Sequence, residues 1–108
     1  MELSLTDIRE LLIGNTLAEP LDDGGFVLGE KVFIRTVTNY FLGLVQQVTA
    51  TSVTLLNASW VADTGLFSEA LEKGTLNEVE PYVDDVVISR TAIIDHTAWR
   101  HSLPKERK

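Results

Sequence analysis

Three segments rich in β-branched residues follow one another between residues 31 and 61, and short turns join them. They cover residues 31–38, 41–49 and 53–61, and such runs of Val, Ile, Thr and aromatic residues predict strands. Connections as short as 39–40 and 50–52 join antiparallel neighbours, because parallel strands need a much longer crossover. Gly43 lies inside the second segment and predicts a sharp bend or a close backbone contact. The sequence therefore predicts an antiparallel meander.

Two short helices are predicted around this meander. In residues 5–13, Leu5, Ile8 and Leu12 recur at helical spacing, and a turn-rich stretch at 19–25 follows as a linker. A second helix is predicted over residues 66–72, with Asp63 or Thr64 as its N-cap and Gly74 at its end.

The remainder of the chain returns to a strand pattern. Residues 78–89 are predicted as one strand, residues 90–91 as a very short connection and residues 92–96 as the last strand. We expect a mainly β fold, a bent five-stranded antiparallel sheet or open barrel with an N-terminal helix and a helical insertion at 62–78. At 108 residues the chain has room for one domain, divided into a leading helix and linker (1–25), a β domain (26–99) and a basic tail (100–108).

Charge is distributed unevenly along the chain. Residues 1–99 hold five Lys and Arg against fifteen Asp and Glu, a net charge of −10, whereas residues 100–108 carry +3. An acidic body repels a phosphate backbone, so any contact with nucleic acid has to be local. The basic tail is predicted to be a solvated, mobile end rather than a functional arm.

Two blocks of this sequence resemble the Sm-like family, which includes the LSm and Hfq-type ring proteins. The first block spans residues 32–58, with Gly43 at the bend and a Leu-x-Asn-Ala phrase ending at Ala58. The second spans residues 86–94 and is similar to the family's Ile-Arg-Gly-x-x-Ile pattern, with Thr91 in place of the glycine. The long insertion between the blocks looks most like a group of Sm-like proteins attributed to bacteriophages.

The resemblance implies a homo-oligomeric ring of about five to seven copies, in which an open sheet edge is completed by the neighbouring subunit. The strand at 86–89 would then pair with residues 93–95 of the next copy. The interface residues implied in this way are Val86, Val87, Ile88, Ile93 and Ile94.

The resemblance also implies contacts with single-stranded RNA at the pore, made by two loops. The matching positions in this chain are Thr49, Thr51, Ser52, Ser89, Arg90 and Thr91. Arg90 is the only cation among them, and a guanidinium holds a phosphate or stacks on a base. The alternative, which the acidic body favours, is that Arg90 pairs with Asp84, Asp85 or Asp95 and braces the subunit interface.

Other candidate residues favour structural roles. Trp60 and Trp99 are of the type that stacks on bases, but Trp60 continues a strand pattern and is expected in the core or an interface. His96 and His101 are two histidines without a third ligand placed by a motif, so we expect no metal site and no cofactor. With no cysteine and no nucleophile or phosphate-loop motif, we do not expect an enzyme.

Two functions stay open on the sequence alone. The first is RNA binding by a ring, and the second is a structural or protein-interaction scaffold ring without nucleic-acid binding. The sequence shows no long apolar segment and no signal-peptide pattern. A cytoplasmic location is therefore expected, in the host cytoplasm if a phage encodes the chain.

Overall fold

The computed structural model describes residues 22–108, which form a mainly β fold of six strands and one α-helix. The predicted helix at 5–13 lies outside the described residues. Among residues 22–108 no helix has the length and apolar character needed to cross a bilayer. The elements are β1 (Lys31–Thr36), β2 (Tyr40–Val48), β3 (Ser52–Asp63), α1 (Phe67–Lys73), β4 (Glu78–Pro81), β5 (Val86–Ser89), a single 3-10 turn (Arg90–Ala92) and β6 (Ile93–Ala98).

The six strands form one open antiparallel sheet in the order β4-β3-β2-β1-β6, and β5 also pairs with β3. The predicted meander and the antiparallel sheet are therefore confirmed. The predicted number of five strands was wrong, because residues 78–89 form two strands rather than one and the sheet therefore has six. β4 pairs with the second half of β3 from Ser59 onward, and β5 pairs with its first half up to Leu55. Residues 82–85 separate the two, and Pro81 closes β4 rather than opening a long strand.

A bend in β2 and β3 explains why one continuous strand does not follow β3. The pairing register shifts between Leu42 and Leu44, and Asn57 on the facing strand has a positive φ of 49°. A β-bulge of this kind turns the strand and increases its local twist. Gly43 lies in this region against the side chain of Leu55, so the close contact predicted at this glycine is confirmed.

The core consists of two clusters on opposite faces of the sheet, since successive strand residues point to opposite sides. Val32 belongs to the first cluster and its neighbour Phe33 to the second. The first cluster comprises Phe26, Val32, Ile34, Val45, Val53, Leu55, Ala58 and Ile88. The second comprises Phe33, Leu42, Val61, Ala70, Leu76, Val79 and Trp99.

The helical insertion is smaller than predicted, because residues 62–63 still belong to β3 and residue 78 already begins β4. The N-cap of α1 is Leu66, without a side-chain cap, so the prediction of Asp63 or Thr64 was wrong. The Asp63 carboxylate accepts instead from the Gly65 amide at 2.8 Å. Gly74 ends the helix in the left-handed conformation, as predicted.

The C-terminal segment is tied to the sheet by backbone hydrogen bonds, so the expectation of a mobile end was wrong, whereas its charged side chains are exposed to solvent as expected. Trp99 is buried in the second cluster, and its Nε1–H donates to the carbonyl of Ser102 at 3.2 Å. Lys108 pairs with Val79 through two backbone hydrogen bonds of 2.8 and 2.9 Å. The prediction failed because composition showed the charges of this segment and not the backbone edge that it covers.

Candidate functional site

The turn between β2 and β3 meets the 3-10 turn between β5 and β6 at one end of the sheet. The Arg90 amide donates to the Thr51 carbonyl at 2.9 Å, and Ser52 is the register partner of Ser89. The structure thus brings together all six positions that the sequence singled out. We call this set the loop cluster: Thr49, Thr51, Ser52, Ser89, Arg90 and Thr91.

Hydroxyl groups order the loop cluster from within. The Thr49 hydroxyl accepts from the amides of Thr51 at 3.2 Å and Ser52 at 2.9 Å, and it lies 2.9 Å from the Ser52 hydroxyl. The hydroxyls of Ser89 and Thr91 lie 2.9 Å apart on the exposed surface. A loop fixed in this way presents its exposed hydroxyls in one geometry, which favours recognition by hydrogen bonding.

Arg90 joins the loop cluster to the segment before β1. Its Nη1 donates to the carbonyls of Asp22 at 2.6 Å and Thr49 at 2.9 Å, and its Nη2 lies 3.8 Å from the Asp22 carboxylate. The side chain is only 18% exposed. Both Nη1 hydrogens are therefore used within the fold, whereas Nε and Nη2 donate no hydrogen bond to the described residues.

The predicted acidic partners of Arg90 were wrong. Asp95 pairs with Arg35 on the neighbouring strand, and its hydrogen bond and then its charge raise the pKa of Arg35. Asp84 and Asp85 lie in the exposed segment 82–85 and form no ion pair within residues 22–108. Asp22 was missed because it is 68 residues away in sequence and no local pattern links it to Arg90.

Both histidines bond backbone carbonyls. His96 Nε2 donates to the Gly24 carbonyl at 2.6 Å, and its ring stacks on Phe26 with centroids 3.8 Å apart. His101 Nε2 donates to the Leu71 carbonyl at 2.8 Å. Residues 22–108 contain no group of three side chains placed to hold a metal ion. His96 therefore links β6 to the segment before β1, and His101 links the C-terminal segment to α1.

The strands on either side of the 3-10 turn lie at two free edges of the sheet. Within the described residues, β5 pairs only with β3 and β6 pairs only with β1. Of the five predicted interface side chains, Val87 is 65% exposed and Ile94 56% exposed. Val86, Ile88 and Ile93 instead pack in or against the first core cluster.

A groove that the sequence did not indicate lies between the bulge of β3 and the C-terminal segment. Its volume is about 500 Å³. Its residues come from β1, β3, the end of β4 and the C-terminal segment, so no local sequence motif predicts the groove. We call it the lysine groove, and its lining residues are Lys31, Asn57, Pro81, Tyr82, Ser102, Leu103, Pro104 and Lys105.

An aromatic hollow adjoins the lysine groove and shares Pro81 and Tyr82 with it. Phe41 and the half-buried Trp60 line this hollow, and the planes of the Tyr82 and Phe41 rings are inclined by 24° with centroids 6.2 Å apart. Trp60 thus takes part in a surface feature, whereas Trp99 belongs to the core.

Comparison of the chain with protein-family models, with curated proteins and with solved structures finds no match. The candidate functions therefore rest on the residues and their geometry.

Proposed function

We propose that the chain is a non-enzymatic subunit of a homo-oligomeric Sm-like ring of about five to seven copies, and that the loop cluster binds single-stranded RNA. The observation that carries the proposal is that β5 and β6, joined by a three-residue turn, form two separate sheet edges that no strand within residues 22–108 covers. The bent antiparallel sheet also fits the resemblance of the two sequence blocks.

The free edges favour assembly through β-strand addition. Unpaired backbone N–H and C=O groups on an edge are a template for another strand. Because the edges of β5 and β6 are different surfaces, pairing one with the other gives a head-to-tail contact, and such contacts form a ring where the rotation between copies closes. The exposed Val87 and Ile94 provide apolar surface beside each edge.

The loop cluster supports RNA binding because each copy offers exposed hydroxyls and one guanidinium. Thr51, Ser89 and Thr91 are exposed, and Arg90 has Nε and Nη2 without a hydrogen bond to the described residues. Repeated around a ring, one arginine per copy concentrates positive charge within an otherwise acidic particle.

Light scattering of the native particle tests the assembly. We expect a mass about five to seven times the 12.0 kDa of the chain and a shift to smaller species in Val87→Lys. Val83→Lys is the matched control, because Val83 is 99% exposed in the segment between β4 and β5. A wild-type chain that stays a 12.0 kDa species at micromolar concentration refutes the ring.

Fluorescence anisotropy with short U-rich and A-rich RNA tests the binding. We expect affinity to fall with salt and to drop about tenfold or more in Arg90→Gln, while Arg100→Gln stays near the wild type. Arg100 is exposed and lies outside the loop cluster, so it carries the same charge change without the same contacts.

One observation favours a scaffold ring as the second candidate function. Two carbonyls and Asp22 already hold the Arg90 guanidinium, a bracing geometry that leaves little of its surface open. A correctly assembled ring that binds no RNA at low salt supports the structural or protein-interaction scaffold.

A further inference from the structure

The lysine groove concentrates positive charge in an acidic chain. None of its eight lining residues is Asp or Glu, although the whole sequence carries 16 of these against nine Lys and Arg. Neither Lys31 nor Lys105 has a carboxylate oxygen within 4.0 Å among residues 22–108. Two ammonium groups around one cavity, neither paired with a carboxylate among residues 22–108, favour an anionic ligand.

Hydrogen bonds fix the walls of the lysine groove. The Lys31 ammonium donates to the His101 carbonyl at 2.6 Å, which holds its half-buried side chain. The segment that contributes Lys105 is tied to β4 by the pairing of Lys108 with Val79. A cavity of about 500 Å³ with fixed walls lies in the size range of small-molecule sites.

Asn57 and Tyr82 add groups that recognise a planar ring. Asn57 is the one non-glycine residue of the described chain with a positive φ, and its exposed amide lines the groove. Tyr82 is 43% exposed, and its amide donates to the Ala58 carbonyl at 2.8 Å, which anchors it beside Asn57. An exposed aromatic face stacks on a base, and an amide forms hydrogen bonds with the base edge.

We propose that the lysine groove binds a nucleotide through its terminal phosphate, with Lys31 and Lys105 facing the phosphate and Tyr82 and Asn57 facing the base. None of the lining residues belongs to β5 or β6, or to the loop cluster. The site is therefore separate from the proposed ring interface and from the proposed RNA contacts.

Calorimetric titration of the full chain with adenosine 5′-monophosphate tests the site, with adenosine and inorganic phosphate as partial ligands. We expect the nucleotide to bind about tenfold more tightly than either part. Lys105→Glu should lower the affinity for the nucleotide about tenfold or more. Tyr82→Leu should lower the affinity for the nucleotide but not the affinity for inorganic phosphate. Lys73→Glu is the matched control, because Lys73 is exposed on α1 and does not line the groove.

Oligonucleotides distinguish the two sources of such a phosphate. In the Arg90→Gln variant, which lacks the proposed RNA-binding guanidinium of the loop cluster, we compare the affinities of hexanucleotides that end in a 5′-phosphate or a 5′-hydroxyl. A preference for the phosphorylated end assigns the groove to nucleic-acid termini, and tighter binding of the mononucleotide assigns it to free nucleotides.

Three results overturn the nucleotide site. They are no saturable nucleotide binding at millimolar concentration, equal affinity for nucleotide and inorganic phosphate, and unchanged affinity in Lys105→Glu. Because these readouts require neither assembly nor RNA binding at Arg90, they are independent of the outcome for the proposed ring.

Discussion

Gly43→Ala is the substitution whose effect follows most directly from the geometry of the sheet. A Cβ added at this position lies 2.8 Å from Leu55 Cβ, 3.1 Å from Leu55 Cδ1 and 3.2 Å from the Leu56 carbonyl oxygen. The nearest atom belongs to a fully buried side chain, and the carbonyl is part of the paired strand. Neither neighbour moves away without displacing β3, so the substitution overpacks the bend.

Two opposing effects set the size of the loss. Overpacking a core position costs about 1–3 kcal/mol. Replacing glycine by alanine also restricts the unfolded chain and returns about 0.4–1 kcal/mol. The midpoints of these two ranges, about 2 and about 0.7 kcal/mol, leave a loss of about 1.3 kcal/mol in the free energy of unfolding for Gly43→Ala, a large share of the roughly 5–15 kcal/mol typical of whole proteins.

Urea unfolding at one fixed protein concentration measures this loss. The midpoint should fall by roughly 1 M, with an unchanged m-value, if the native surface area is preserved. Gly29→Ala is the comparison, because Gly29 has a φ of 85° and nothing within 4 Å of an added Cβ. It should lose about 1 kcal/mol or more from backbone strain alone. A Gly43→Ala protein as stable as the wild type refutes the contact that we assign to the bend.

Three further predictions concern single side chains. Trp99→Ala should lower the free energy of unfolding by about 3–5 kcal/mol, because Trp99 is buried in the second core cluster; urea titration followed by the remaining tryptophan measures it. Thr49→Val should remove the hydroxyl that accepts hydrogen bonds from the amides of Thr51 and Ser52, and the hydrogen exchange of these two amides should become faster. Unchanged exchange rates at both amides contradict this prediction. The hydrogen bond to Asp95 and then its charge raise the pKa of Arg35, so the stabilisation by protonated Arg35 is complete at neutral pH and is lost only in strongly alkaline solution. Arg35→Gln should therefore leave the shape of the stability profile between about pH 6 and 9 unchanged, and a new slope there excludes this assignment.

The candidate sites differ in how far the sequence predicted them. The six positions of the loop cluster follow from two short blocks of sequence, and the structure places them together through contacts such as that of Arg90 with Thr51. The lysine groove has no such block, because Lys31 and Lys105 come to line one groove only when the C-terminal segment packs on the sheet. The exposed Val87 and Ile94 mark the edges that were predicted, while Ile88 belongs to the core.

The sequence by itself determined the three strands of the meander, their antiparallel order and the close approach at Gly43. These features depend on β-branching, alternation and turn length, which act over a few neighbouring residues. Only the tertiary structure decided that residues 78–89 split into two strands, that Asp22 meets Arg90 and that Trp99 and the basic segment pack on the second face. These outcomes depend on contacts between residues far apart in the chain, and the free energy of such contacts is fixed by the bend of the whole sheet rather than by any local pattern.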